Sequence, residues 1–182
     1  MTVNYTIDND DILIYQLYIA SKSDRIKKSR LRNRVVVPLV YIALGLLFFV
    51  LKGRLAMIIA FPVIGVLWFF IYPLWERRRY VKHYQGFIKE NYTDRPGKNV
   101  TLEFNNDCIV AKDSGNESKT LTTELEEINE MPTLVIIKFK GSLAFVLPKD
   151  KIDNIDNVVT ELKKLANYLK IDYNIDENWK WK

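Results

Sequence analysis

His83 and Cys108 are the two side chains best suited to nucleophilic, general-base or metal chemistry, and each is the only residue of its type in this 182-residue chain. A histidine becomes a ligand or a base when carboxylates or thiols stand at ligand spacing around it. His83 has no such cluster and reads as a surface or packing residue. Cys108 falls in an apolar alternation, Val100, Leu102 and Phe104 followed by Cys108 and Val110, that turns it inward. Buried there, it packs as a small apolar group. Glu124, Glu126 and Glu127, and Asp150, Asp153 and Asp156, are the remaining acidic groupings. They read as a solvated face and as helix caps. No glycine-rich phosphate loop is present, so the chain is read as non-catalytic, with no cofactor and no metal site. A lone cysteine also excludes an intrachain disulfide and fits a reducing compartment.

The elements that position these residues are dominated by two uncharged apolar runs, residues 35–51 and 55–75, separated by Lys52, Gly53 and Arg54. They contain 17 and 21 residues, and a bilayer's hydrocarbon core needs about 17–25 such residues in a helix. The three-residue connection makes them antiparallel neighbours, a transmembrane helical hairpin. Pro38 lies in the first turn of the first span, whereas Pro62 lies within the second and predicts a kink there. Neither span holds an ionisable residue to serve a transport path. A retained span, rather than a cleaved signal, fits the 34 residues that precede it. The mean hydropathy of −0.09 averages this apolar third with a polar remainder.

The formal charge of +5 and pI near 9.1 raise nucleic acid as a partner until the charge is divided along the chain. Residues 1–34 carry seven basic and four acidic groups, and residues 76–95 carry six and three. Residues 96–182 carry twelve basic against fifteen acidic. The positive charge thus collars the spans while the largest polar segment is acidic, the reverse of a nucleic-acid-binding domain. Twelve basic residues flank the hairpin's open ends against two in its turn, so the positive-inside rule puts both termini in the cytoplasm of a two-pass cell-membrane protein. Arg32, Arg34, Arg77, Arg78, Arg79 and Lys82, with Trp68, Tyr72 and Trp75, are read as contacts to anionic headgroups. Residues 1–34 are read as an N-terminal strand and a basic amphipathic helix capped by Asp8 or Asp10. Residues 76–95 form a helical stalk carrying Tyr80, Tyr84 and Phe87, stopped near Tyr92 by Pro96 and Gly97.

Residues 96–182 change period. Residues 99–104 and 108–110 read as a β-hairpin around Asn105, Asn106 and Asp107, and a polar turn from Asp113 to Asn116 leads to a threonine-rich strand near Thr120 to Thr123. Residues 125–131 read as a turn or a bulged strand, and residues 134–139 and 143–147 as two strands joined by Lys140 and Gly141. Ile155, Val158, Val159, Leu162, Leu165, Ala166 and Leu169 trace one face of an amphipathic helix, capped by Asp153 or Asp156. About five strands with a closing helix make a half-barrel.

NVTLEFNND (99–107), LEEINEM (125–131), LAFVLPKDKI (143–152) and VNYTIDNDD (3–11), with the double span between them, resemble the YcxB-like family of small bacterial membrane proteins. The resemblance departs at Thr122, Thr123 and Glu124, where an aromatic is expected. It implies an α+β membrane protein: a two-helix transmembrane hairpin plus a small PH-like antiparallel β-sheet domain closed by a C-terminal α-helix. It also implies that residues 3–7 add a strand to that sheet. The functional expectation is a membrane-anchored binding or sensing module. A self-assembling or inhibitory, immunity-like membrane protein is the alternative, and an enzyme or transporter is the least favoured reading. The partners expected are the lipid bilayer and a protein or second copy of the chain, not nucleic acid. Trp179 and Trp181, interleaved with Lys180 and Lys182, are the candidate partner surface.

Overall fold

The computed structural model describes residues 1–53, 55–92, 97–105, 107–113, 115–141 and 143–182. Arg54, Pro96, Asn106 and Ser114, which the sequence places in turns, lie outside the described residues. The chain divides into two compact units, residues 1–16 with 85–180, and residues 17–84 with 181–182.

The first unit is built on two four-stranded sheets. Strand β1 (Thr2–Thr6) pairs antiparallel with β2 (Asn99–Phe104), matching Val3 to Leu102 and Tyr5 to Val100. The pairing that the resemblance implies for residues 3–7 is therefore present over Thr2–Thr6. Strands β3 (Cys108–Asp113) and β4 (Asn116–Leu121) complete this sheet in the order β1-β2-β3-β4. The second sheet has the order β7-β6-β5-β8, formed by β5 (Leu125–Glu130), β6 (Leu134–Phe139), β7 (Ala144–Pro148) and β8 (Asp172–Ile175). Among the described residues, only the β5–β8 pair is parallel. Pro148 is tolerated because β7 is an edge strand. Helix α4 (Ile155–Leu169) turns Val158, Leu162 and Ala166 into a core shared with Val3, Leu102, Ile109, Ile128 and Ile137.

Several local expectations change. The register matches Phe104 with Ile109 and Leu102 with Ala111, so Ile109, not Cys108 or Val110, joins that core. A slip of one residue exchanges the two faces of a strand. Cys108 and Val110 are buried, but outside this cluster. Thr122–Glu124 is a 3-10 turn, and the strand before it, β4, ends at Leu121. The segment 125–131 is a strand with an irregularity between Leu125 and Glu127. Asn154, in the left-handed conformation favoured by asparagine, occupies the N-cap of α4 in place of an aspartate.

A carboxylate ties this unit together. Glu130, at the end of β5, accepts from Lys149 Nζ at 2.8 Å and from the Tyr173 hydroxyl of β8 at 2.8 Å, with Lys163 Nζ of α4 at 3.3 Å. Burial alone would raise its pKa, but the hydrogen bonds from Lys149, Tyr173 and Lys163 and the charge of Lys149 outweigh burial and hold it below the usual carboxylate range.

The helices of the other unit are α1 (Asn9–Lys22), α2 (Asp24–Lys52) and α3 (Leu55–Asn91), of which α1 and α3 continue into the first. Asp11 Oδ2 accepts the Asp8 N–H at 2.8 Å, closing the first turn of α1. Ser23 separates α1 from α2, accepting the Ile26 N–H on its hydroxyl. The basic residues 25–34 are therefore a continuation of the first apolar helix. Helix α3 runs unbroken through Pro62 and Pro73. Gly53 ends α2 at φ 62°, a conformation that costs glycine nothing, and donates its N–H to Phe49 O. The two long helices touch where they are thinnest: a Cβ on Gly65 would stand 3.2 Å from the backbone of Pro38, and one on Gly45 3.1 Å from Phe61 Cβ.

Two outcomes follow from this packing. Gly65→Leu lowers the thermal stability of helical circular dichroism in micelles, because Pro38 backbone must move, whereas Gly86→Ala, with nothing within 4 Å of the new methyl, raises helix stability by about 0.5–1 kcal/mol. Equal melting of the two variants contradicts the close approach. Glu130→Gln costs about 1–3 kcal/mol at pH 7. A depressed carboxyl contributes its full stability above the ordinary value of about 4.3 and loses it as pH falls through the lower folded value. The gap between variant and parent in urea unfolding therefore narrows below about pH 4, and a pH-independent gap removes the assignment.

Candidate functional site

The collar residues divide into two groups. Arg32, Arg77, Arg78 and Lys82 are exposed, as is Trp75. Arg79 lies over the Trp75 ring, 5.1 Å from its centre, and Arg34 over the Phe69 ring at 4.1 Å. Trp68 Nε1 donates to Asn33 O at 3.4 Å. Tyr72 does not face outward: it is buried and gives its hydroxyl proton to Glu76 Oε1 at 2.8 Å. Tyr72 is thereby removed from the headgroup-contacting set.

Glu76 is the residue that sequence reasoning passed over, because it sits beside the Arg77-Arg78-Arg79 run and looks like one more solvated charge. Its side chain is only 5% exposed. Arg30 Nε donates to Glu76 Oε2 at 2.8 Å, joining α2 to α3 immediately after the second apolar run. Arg30 also donates through Nη2 to Lys182 O and lies over the Trp181 ring. Trp181 is buried, packs edge-on to Tyr80, and donates Nε1–H to Arg77 O at 3.3 Å. Its ring is therefore spent inside its own unit and is not a free partner surface. Trp179 is half-buried, its N–H donated to Asp176 O.

His83 is exposed and stands edge-on to Tyr84. Cys108 is buried, with Asn105 Nδ2 at 3.9 Å from its sulfur. Glu126 and Glu127 pair with Lys138, and Glu124, Asp150, Asp153 and Asp156 are exposed. Among the described residues, no three His, Cys, Asp or Glu side chains gather closely enough to hold a metal ion.

The first unit contains an open-mouthed cavity of about 410 Å³ whose walls combine aromatic rings with one carboxylate. Tyr5 and Phe145 contribute from the strands, Tyr15 from α1 and Tyr92 from just beyond α3, with Asp113 opposite Asn116 on the sheet wall. The lining includes no Lys, Arg or His among the described residues. Tyr5 is 5% exposed. Burial, then the charge of Asp113, raises its pKa strongly. Tyr15 is raised by burial and by Tyr92, against a lowering by Lys138.

Compared with protein-family profiles, with curated proteins and with solved structures, the chain matches none.

The Arg30–Glu76 pair makes a sharp prediction. Glu76→Gln or Arg30→Met alone strands the other partner and destabilises the helical hairpin by about 3–5 kcal/mol, while the double replacement by Leu and Met recovers most of that loss. A double-mutant cycle on thermal unfolding in nanodiscs measures it, and additive single effects would show the two groups to be uncoupled.

Proposed function

We propose that the chain is a membrane-anchored, non-catalytic binding or sensing module, in which the apolar hairpin is the anchor and the β-rich unit is a PH-like domain of YcxB-like type on the cytoplasmic side. One observation carries the reading. Two helices long and apolar enough to cross a membrane leave that surface uncovered: only 6% and 11% of their most apolar stretches is buried. Leu51, Leu55, Phe70 and Leu74 are each at least 65% exposed. Apolar area of that extent is unfavourable in water at about 25 cal/mol per Å² and is covered at no such cost by lipid. A helix buried in a soluble core would instead be covered by its own protein. The basic residues at the open end supply the charge asymmetry for a cytoplasmic β-rich unit and the attraction to anionic headgroups. The cavity of the β-rich unit, apolar with few polar groups among the described residues, supports a binding role.

The membrane fraction tests both parts. After alkaline carbonate washing the protein stays in the pellet. In a Cys108→Ser background, a membrane-impermeant maleimide applied to intact cells labels Lys52→Cys and not Lys119→Cys. Release by carbonate defeats the anchor, and the opposite labelling reverses the orientation.

A further inference from the structure

We infer that the Arg34 guanidinium, held over the Phe69 ring at the open end of the hairpin, is the binding site for one molecule of anionic phospholipid, whose phosphodiester lies against the guanidinium edge. The inference rests on the membrane-anchor reading and names the lipid that the anchor selects.

An arginine keeps its charge at any working pH, and its five N–H donors lie in the plane of the guanidinium. One face of that plane in Arg34 is taken by the Phe69 ring, with 4.1 Å from Cζ to the ring centre. The ring answers part of the charge but none of the in-plane donors. Nε is buried and has no hydrogen-bond partner among the described residues. A charged donor in that state is costly until an anion meets the group's delocalised charge. The hairpin has no carboxylate to spare for it. Asp24 and Glu76 are the only acidic side chains of residues 17–84, against thirteen lysines and arginines. Asp24 stands 3.8 Å from Lys27 Nζ, and Glu76 is filled by Arg30 and Tyr72.

Position identifies the source of the anion. Arg34 directly precedes the first apolar run, and Phe69 lies six residues short of the end of the second, about 9 Å along the helix axis. Trp68, next to Phe69, turns its N–H to Asn33 O at 3.4 Å, and a tryptophan with its polar edge satisfied near the end of a span marks the headgroup layer. Free phosphate is kept from that depth by its hydration, whereas a phospholipid carries its phosphate there with its chains in the hydrocarbon. Val35, Leu39 and Phe70, exposed on the same helices, offer apolar surface to those chains. Charge then selects among phospholipids. Arg32, Arg77, Arg78 and Lys82 are exposed around this end of the hairpin and repel the cationic group of a zwitterionic headgroup. A headgroup with net negative charge and no amine, such as that of phosphatidylglycerol, meets no such repulsion. The exposed residues attract headgroups by net charge, while Arg34, stacked and half-buried, presents a planar fork pre-organised for two phosphate oxygens.

The full chain, purified in detergent, delipidated and incubated with equal amounts of phosphatidylglycerol and phosphatidylcholine, tests this by native mass spectrometry. One phosphatidylglycerol stays bound per chain in preference to phosphatidylcholine, and excess inorganic phosphate does not displace it. Arg34→Met weakens retention about tenfold, the loss of a hydrogen-bonded charge contact, whereas Arg32→Met, which removes the same charge from an exposed position, leaves retention unchanged. Arg34→Lys, which keeps the charge without the fork, weakens it severalfold with unchanged circular dichroism and decides the matter where Arg34→Met does not fold. Equal losses in Arg34→Met and Arg32→Met, or no loss in either, overturn the Arg34 site in favour of a diffuse basic collar. Phosphatidylcholine held as strongly as phosphatidylglycerol overturns the choice of an anionic lipid, and displacement by inorganic phosphate overturns the lipid as the source. Release of the protein by carbonate defeats the anchor and this site together, while a carbonate-resistant protein that retains no phosphatidylglycerol defeats the site alone.

Discussion

The β1–β2 ladder is the contact on which the β-rich unit depends, because it joins pieces of chain separated by every residue of the helical hairpin. Five residues pair, from Thr2 with Glu103 to Thr6 with Asn99. At the mouth of the excursion, Gly97 donates its N–H to Ile7 O at 2.9 Å, and at the far end Phe104 donates to Met1 O at 2.8 Å. Closing so long a loop has an entropic cost that rises only logarithmically with length. A short ladder suffices when its side chains are buried, and Val3 and Tyr5 are.

Two carboxylates show how each unit places charge where burial is costly. Glu76 and Glu130 are both nearly covered, and each is met by partners from distant parts of the chain. A buried ion is tolerable only when its lone pairs are filled. Glu76 has Arg30 and Tyr72, and Glu130 has Lys149, Tyr173 and Lys163. Lys151 follows the same rule from the cationic side. Burial would lower its pKa, but hydrogen bonds to Asp11 and Asp8 outweigh that and raise it, pinning the start of α1 to the turn after β7. These contacts set which arrangement of elements is adopted more than how apolar area is buried.

The features legible in the sequence were those with a local signature. The apolar runs announce themselves by length, α4 by its 3.6-residue period, and β6 and β7 by continuous or alternating apolar residues. Strand β4 has no such signature, since most of its residues are exposed and polar, and it forms because β3 offers a pairing edge. Strand β8, four residues long and mostly exposed, exists because α4 returns the chain alongside β5. The inward face of β3 depended on turn length, which alternation alone does not specify. Glu76 was passed over, and Trp181 read as a partner surface, for a common reason: a charge in a basic run and an aromatic in a lysine-rich tail both look solvent-facing until a partner from elsewhere in the chain covers them.

The cavity was illegible for the same reason, yet its composition gives the divided unit a physical consequence. Tyr5 and Ile7 precede the helical excursion, Tyr15 lies at its beginning, Tyr92 follows it, Val100 belongs to β2, which receives β1, and Asp113 to the next strand, β3. No single segment makes the wall, so a guest contacts residues that share a surface only while the ladder is closed. On the binding reading proposed above, a guest in the cavity would favour the closed ladder over an open one, its binding free energy adding to closure by mass action. The short strand that completes the sheet and the site that would report a ligand are then one device, because the residues that close the first also wall the second.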